Sequence, residues 1–232
     1  MRTVWITRAL PGARATAERV AALGFEPTVA PLIEIHPTGV GPIDLAGAGA
    51  LAFTSANGVR AFSARSDVRH LPVFAVGAAT ARSARSAGFE NVSSAEGDVA
   101  ALAVSIQAAP RQSGFILHIG AAEPAGDLAG ALTAMGIPTR RLDVYESVEA
   151  PLARKVVTRL AGADIILAHS PRAAVILARV LVKIPHLRPD ILCLSPAVAA
   201  PLEALVERCL AVAAAPTEDA IMALLAAWRP PA

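Results

Sequence analysis

Short apolar runs alternate with amphipathic stretches along almost the whole chain. Residues 3–7, 27–35, 72–76, 115–119 and 139–148 read as extended, as do runs beginning at Leu51, Asp164, Ile191 and Cys209. Between them lie stretches with helical spacing: 13–23 closed by Gly24, a segment after Ser55, one after Gly77 that runs to 87 and stops at Gly88, and one capped by Asp98. Residues 127–135, ending at Gly136, are a further helix. Strand and helix in strict alternation predict an α/β fold with parallel sheets covered by helices.

The order of the units carries more than their number. Leu51-Ala52-Phe53 empties into Thr54-Ser55-Ala56-Asn57-Gly58-Val59, and Ile166-Leu167-Ala168 empties into His169-Ser170-Pro171-Arg172-Ala173. In each, an apolar strand ends on a small hydroxyl residue suited to cap the helix behind it. The stretch from Val4 to Arg8, with its helix and Leu23-Gly24-Phe25, aligns without a gap on Ile116 to Gly120, helix, Met135-Gly136-Ile137. Val73 to Gly77 similarly matches Ile191 to Ser195, with the caps Asp98 and Thr217 following at nearly equal distances. In the middle of the chain these units come in one order, and at its two ends in a permuted one. Two similar parallel-sheet α/β domains joined by a two-stranded linker satisfy both orders. One is discontinuous, made of residues 1–36 and 149–232; the other, 40–145, is inserted into it, with linkers near 35–42 and 145–151. Such linkers leave room for a cleft and for hinge motion.

Composition narrows the function. Of 232 residues 54% are hydrophobic and only 4% aromatic, so the core is built from Ala, Val, Leu and Ile. A formal net charge of +2, with no stretch interleaving basic and aromatic residues, argues against nucleic acid. Arg greatly outnumbers Lys, Lys155 and Lys183 being the only lysines. Guanidinium groups suit carboxylates, although a GC-rich genome explains the bias more simply. Cys193 and Cys209 read as reduced packing residues. The chain opens directly into a strand, with no leader, and no apolar run is long enough to span a bilayer. A cytoplasmic protein is expected.

The common cofactor signatures are missing. There is no Walker loop, and Gly47-Ala48-Gly49 precedes its strand instead of following one, so no dinucleotide fingerprint is formed. His36, His70, His118, His169 and His186 show no ligand spacing with carboxylates or thiols, and no Ser lies in a Gly-x-Ser-x-Gly elbow. No cofactor and no metal are expected. What remains is a set of small polar residues at strand ends: Arg8, Ser55, Asn57, Gly77 with Thr80, Ser170, Ser195 and Thr217. Singly, each reads as a helix cap. Together, at the carboxyl ends of parallel strands, they form a trough lined by backbone amides and suited to a large anion.

Tyr145, the only tyrosine, stands in Leu142-Asp143-Val144-Tyr145-Glu146, where the chain leaves the inserted domain. It is either an amphipathic packing residue or, if it faces the cleft, a proton donor to a leaving group. Asp143 and Glu146 read as solvated strand-face charges.

With those residues in place the chain resembles the uroporphyrinogen-III synthase family. The likeness runs through Thr7-Arg8, Pro31 and Ile33, then Phe53 to Val59, including Thr54 and Ser55. It continues through Ala75-Val76-Gly77-Ala78-Ala79-Thr80-Ala81, Val144-Tyr145, Ser170-Pro171 and Pro216-Thr217. The resemblance implies a two-domain enzyme that closes the linear tetrapyrrole hydroxymethylbilane into uroporphyrinogen III, with inversion of ring D and loss of water. Loss of the hydroxymethyl oxygen gives an azafulvene, which the substituted carbon of ring D attacks to form a spiro intermediate. Catalysis is then largely shaping, plus a weak acid near the leaving hydroxyl. By matching position Tyr145 is the candidate acid. Arg8, Thr54, Ser55, Asn57, Gly77, Thr80, Ser170, Pro171, Ser195 and Thr217 are candidate substrate contacts, Arg8 either pairing with a carboxylate or holding the rim.

The resemblance further implies a monomer acting on a small polycarboxylate, without nucleic acid or membrane, and leaves open a transient contact with the enzyme that makes hydroxymethylbilane. Two features depart from the family pattern. Many relatives carry a glycine-rich stretch with an arginine where this chain reads Gly120-Ala121-Ala122-Glu123-Pro124, so no side-chain carboxylate contact is assigned there. His169 replaces the more usual Thr or Phe and reads as a packed histidine. The competing reading is a non-catalytic tetrapyrrole- or anion-binding module of the same fold.

Overall fold

The computed structural model describes residues 1–110, 113–124, 126–184, 187–206 and 208–229, with the side chains of 154, 155 and 159 excepted. Among the residues read from sequence, His186 and the Lys155 side chain therefore lie outside the described residues.

The chain runs β1 (Thr3–Ile6), α1 (Gly12–Ala22), β2 (Glu26–Val29), β3 (Ile33–Pro37), β4 (Ala48–Phe53) and α2 (Ala56–Ser63). It continues with β5 (Val73–Ala75), α3 (Ala78–Ser86), β6 (Val92–Ser94), α4 (Val99–Ala108), β7 (Phe115–Ala121), α5 (Leu128–Ala134) and β8 (Thr139–Glu149). The remainder is α6 (Arg154–Leu160), β9 (Ile165–Ala168), α7 (Pro171–Lys183), β10 (Asp190–Cys193), α8 (Pro196–Ala199), β11 (Leu210–Val212) and α9 (Glu218–Ala227).

Internal contacts divide the chain into two compact units, one of Met1–Glu34 with Val148–Ala232 and the other of Ile35–Ser147. The first holds a five-stranded sheet ordered β11-β10-β9-β1-β2, and the second belongs to a six-stranded sheet ordered β3-β8-β7-β4-β5-β6. Read from its far end, the second order is β6-β5-β4-β7-β8, with β3 added at the edge. Position by position it repeats the first: β4 stands where β9 stands, β5 with β10, β6 with β11, β7 with β1 and β8 with β2. The register likeness in the sequence is thus a topological one. The same sheet is threaded in permuted chain order, because the first unit begins at its fourth strand. The pairings from β11 to β2 and from β8 to β6 are all parallel.

Parallel strands covered on both faces should be largely apolar, and the central strands are, the buried Asp190 at the start of β10 and His118 in β7 being exceptions. All four residues of β9 and of β10 are buried, as are all three of β5. In the second unit side chains alternate by face. Leu51 and Phe53 join Val59 and Phe62 of α2 on one side, while Ala50 and Ala52 join Leu102 of α4 and Leu128 of α5 on the other. Phe53, Phe62 and Phe89 stack edge-on or tilted with centroids 5.7 to 6.1 Å apart, so much of the scarce aromatic content is gathered under the Ser55 turn. In the first unit Val4, Ile6, Ile165 and Leu167 pack against Ala13 and Val20 of α1 and Ile221 and Leu225 of α9.

Two local readings are corrected, and one strand was missed. The extended stretch 27–35 is two strands, β2 and β3, which break at 30–32 and enter different sheets. Ala48 and Gly49 do not precede the strand; they begin β4, which pairs with β7 through an irregularity between Ala48 and Ala50. The three-residue strand β6 has too few apolar positions for any period to show. Cys193 is buried and Cys209 half-buried, both as free thiols, and burial pushes the Cys193 thiol up to about 12. No helix among the described residues is long and apolar enough to cross a membrane.

Candidate active site

In both units the candidate residues stand where strands hand over to helices. Ser55 has extended backbone after β4, and its Oγ accepts the Gly58 N–H at 3.0 Å, capping α2. Ser170 occupies the equivalent place after β9, and its Oγ accepts from Ala173 N–H at 3.2 Å, with Pro171 as the first helical residue of α7. A proline there loses nothing, since its N–H would have had no partner in the helix. Asp98 and Thr217 likewise cap α4 and α9, at corresponding positions of the two sheets. Gly77 and Ser195 also correspond, ahead of α3 and α8, and neither makes a side-chain cap. The space beside the Gly77 Cα is open.

Ser55 does more than cap. The Tyr145 hydroxyl lies 2.8 Å from its Oγ. The tyrosine is brought there by an irregularity in β8. Gly120 pairs with Asp143 but Ala121 with Tyr145, so two residues of β8 advance against one of β7. A bulge of this kind re-aims the side chains that follow it. Val144 and Tyr145, neighbours that regular pleating would send to opposite faces, thus both pack in the cluster of Phe53 and Phe62. The ring is 6% exposed and only its hydroxyl reaches the strand end. Packing residue and hydroxyl donor are therefore one arrangement.

A hydroxyl carries one proton and two lone pairs. With one Ser55 lone pair taken by Gly58, two orientations remain. In one the phenol donates to Ser55 and the serine proton points away; in the other Ser55 donates to the phenol oxygen and frees the phenol proton. Either way one acidic O–H is available at the strand end, on an oxygen held in place.

Beside this pair Thr54 Oγ1 stands 3.4 Å from His118 Nε2 of β7. Gly120 leaves the room they occupy, since a Cβ there would fall 3.3 Å from both atoms. His118 is buried, and desolvation, then the nearby Arg141 charge, lower its pKa to about 4. It is a neutral ring at ordinary pH. Arg141 donates to Asp143 Oδ1 and to the carbonyls of Ala121 and Ala122, each at 2.8 Å. The 120–124 stretch is thus tied down by a guanidinium from β8.

In the other unit Arg8 does not extend freely. Its Nη1 donates to Glu218 Oε2 at 2.5 Å and to Thr16 Oγ1 at 3.2 Å. Thr16 donates to Glu218 Oε1 at 2.6 Å. His169, with a side chain only 5% exposed, places Nε2 3.4 Å from Glu218 Oε2, and burial lowers its pKa. It is the packed histidine that the sequence suggested. Burial alone would raise the Glu218 pKa; His169, Thr16 and Arg8 outweigh it and hold the carboxyl at about 2.

The remaining candidates are less engaged. Thr80 is buried within α3, and Asn57 turns its side-chain oxygen to Arg60 in the first turn of α2. Thr217 Oγ1 accepts from Ala220 N–H at 3.2 Å. Sequence reasoning missed Thr16, His118 as a neighbour of Thr54, and Glu218. Only Glu218 carried a local signal, being an acidic residue directly behind a Thr cap. No group of His, Cys, Asp and Glu among the described residues is arranged to hold a metal ion.

A family model described as uroporphyrinogen-III synthase HemD matches residues 14–223. Among solved structures, uroporphyrinogen-III synthetase from Helicobacter pylori is similar with a TM-score of 0.67 at 17% identity, covering 99% of this chain and 100% of that one. A mutant uroporphyrinogen III synthase from the extremely thermophilic bacterium Thermus thermophilus gives a TM-score of 0.57, also at 17% identity, covering 97% and 96%. At such identities the structures speak for the fold, and the family model for membership. No curated protein sequence matches the chain.

Proposed function

The chain belongs to the uroporphyrinogen-III synthase family of tetrapyrrole-biosynthesis enzymes, and from that membership we propose that it cyclises hydroxymethylbilane to uroporphyrinogen III with inversion of ring D. The observation that carries the reading is the Tyr145 hydroxyl fixed 2.8 Å from the capping Ser55 at the end of β4. It supplies the one chemical group that the reaction needs beyond shaping.

In this proposal the phenol gives its proton to the departing hydroxymethyl oxygen, which leaves as water. The pyrrole N–H that is lost as the azafulvene forms restores the proton to the phenol, so the step neither consumes nor produces acid. The substituted carbon of ring D then bonds to the azafulvene methylene to give the spiro intermediate. Its bond to the methylene of ring C breaks, leaving an azafulvene there, and the free α-carbon of ring D bonds to that methylene and loses its proton, so that ring D is inverted. Ser55 holds the phenol oxygen and offers the second hydroxyl of the relay. Thr54, Asn57 and Gly77 line one rim, with Thr80 buried behind Gly77, and Arg8, Ser170, Pro171, Ser195 and Thr217 line the other. A single substrate engages both, its carboxylates held mainly by amide N–H groups at helix starts. Holding the chain in one folded conformer supplies most of the rate. The same reading carries a cytoplasmic monomer that needs no cofactor and meets the hydroxymethylbilane-producing enzyme only transiently.

The rival is a binding module of the same fold, and turnover separates the two. Protein at one-hundredth of the substrate concentration should convert the whole hydroxymethylbilane pool to cyclised type III product. Type III product that does not exceed one equivalent of the protein, the rest of the pool closing spontaneously to the type I ring, would make it a binder.

A further inference from the structure

We propose that Arg8 is a positioning residue and not a ligand for a substrate carboxylate, and that Glu218 is its partner in fixing the first turn of α9. The inference rests on the reaction proposed above. Three observations carry it. The Arg8 guanidinium already has a carboxylate, Glu218 Oε2 at 2.5 Å, attached to the same unit and so never diluted. A substrate carboxylate would have to compete with it. The guanidinium is also seated: a Cβ on Gly12, the first residue of α1, would fall 2.9 Å from both its Nε and its Nη2. The fork thus lies flat in the space that Gly12 leaves empty, with Thr16 of the same helix against Nη1 at 3.2 Å.

Glu218 closes the arrangement from the other side. It is the first residue of α9, directly behind the Thr217 cap. One of its oxygens takes the Thr16 proton at 2.6 Å and the other meets Arg8, with His169 Nε2 at 3.4 Å. A carboxylate at a helix start is favoured by the exposed N–H groups there. Bound at both oxygens, it ties the start of α9 to α1 and to the end of β1. What this holds in place is the Thr217 hydroxyl and the amides beside it, the groups that the rim presents. Arg8 acts through Glu218, and its own charge is matched within this part-buried pair.

Steady-state kinetics with hydroxymethylbilane on Arg8→Gln, Glu218→Gln and the double variant test this. Because both residues work through one clamp, each single variant is expected to lose about tenfold in kcat with KM within about twofold, and the double variant to lose no more than either. A raised KM at unchanged kcat in Arg8→Gln, with a lowered KM in Glu218→Gln where the guanidinium is set free, would overturn it. So would unchanged kcat and KM in both single variants, which would leave the pair a stabilising contact only. Urea unfolding of the four proteins is independent of turnover. If wild type does not cyclise the substrate, the proposed function fails by itself; coupled losses of stability then uphold the clamp, and additive losses refute it.

Discussion

Tyr145 Oη and Ser55 Oγ, 90 residues apart in sequence, stand 2.8 Å apart at the carboxyl end of β4, and the same serine oxygen caps α2. One atom thereby joins the position of a helix start to the position of a phenol. The geometry has consequences for both stability and rate.

Tyr145→Phe removes the hydroxyl and leaves the ring in the cluster with Phe53 and Phe62. Turnover should fall by about 10²-fold, the usual contribution of a positioned proton donor. Loss of one hydrogen bond should cost about 1 kcal/mol, so circular dichroism and cooperative unfolding stay near wild type. An unchanged rate would reduce Tyr145 to packing.

Ser55→Ala and Ser170→Ala remove equivalent caps from equivalent helices, yet should not cost the same. Each loses a cap worth about 1 kcal/mol. Ser55→Ala also removes the hydrogen-bond partner of the Tyr145 hydroxyl, carried on a ring that is otherwise buried. Urea midpoints should rank Ser170→Ala above Ser55→Ala. Adding Tyr145→Phe to Ser55→Ala should then cost less than it does in wild type.

Gly58→Ala tests how closely α2 approaches the sheet. Alanine normally stabilises a helix interior by about 1 kcal/mol over glycine. Here the new Cβ would lie 3.1 Å from the carbonyl oxygen of Ile119 in β7, flanked by β4 and β8. Backbone in the middle of a sheet cannot give way cheaply, so the variant should unfold at lower urea than wild type, and gain nothing from propensity.

Acid should weaken the fold in two stages. Burial holds the His118 pKa down at about 4, below its ordinary value of 6.5. Between these values the unfolded chain binds the proton and the folded one does not, so stability is full above pH 6.5 and falls as pH drops towards 4. The facing groups are Arg141, which adds to the lowering, and Asp143 and Asp127, which oppose it. His169, also lowered, acts in the same direction. Glu218, held at about 2 against an ordinary 4.5, contributes stability that is present above pH 4.5 and lost on the way down to pH 2. Urea midpoints at about pH 7 and about pH 5 should differ, and His118→Gln should shrink that difference without abolishing it.

Much of this was legible in the chain, for reasons that can be named. The Ser55 and Ser170 turns announce themselves because a buried parallel strand is a short apolar block and its following helix needs a cap. The permuted order of units was visible because each sheet is assembled from the same local pieces. The break that splits 27–35 between two sheets was not, since an apolar run records burial and not the sheet in which it is buried. The bulge that turns Tyr145 onto the face of Val144 leaves no mark in Leu142-Asp143-Val144-Tyr145. The Arg8–Glu218 pair joins residues 210 positions apart, and nothing local to either tells a clamped arginine from a free one.

The most direct measurement of the central claim is the isomer composition of the product formed from freshly prepared hydroxymethylbilane, resolved chromatographically after oxidation to the porphyrin. With the protein present, the type III isomer should dominate and form faster than the spontaneous type I ring. Equal isomer ratios with and without the protein would contradict the claim.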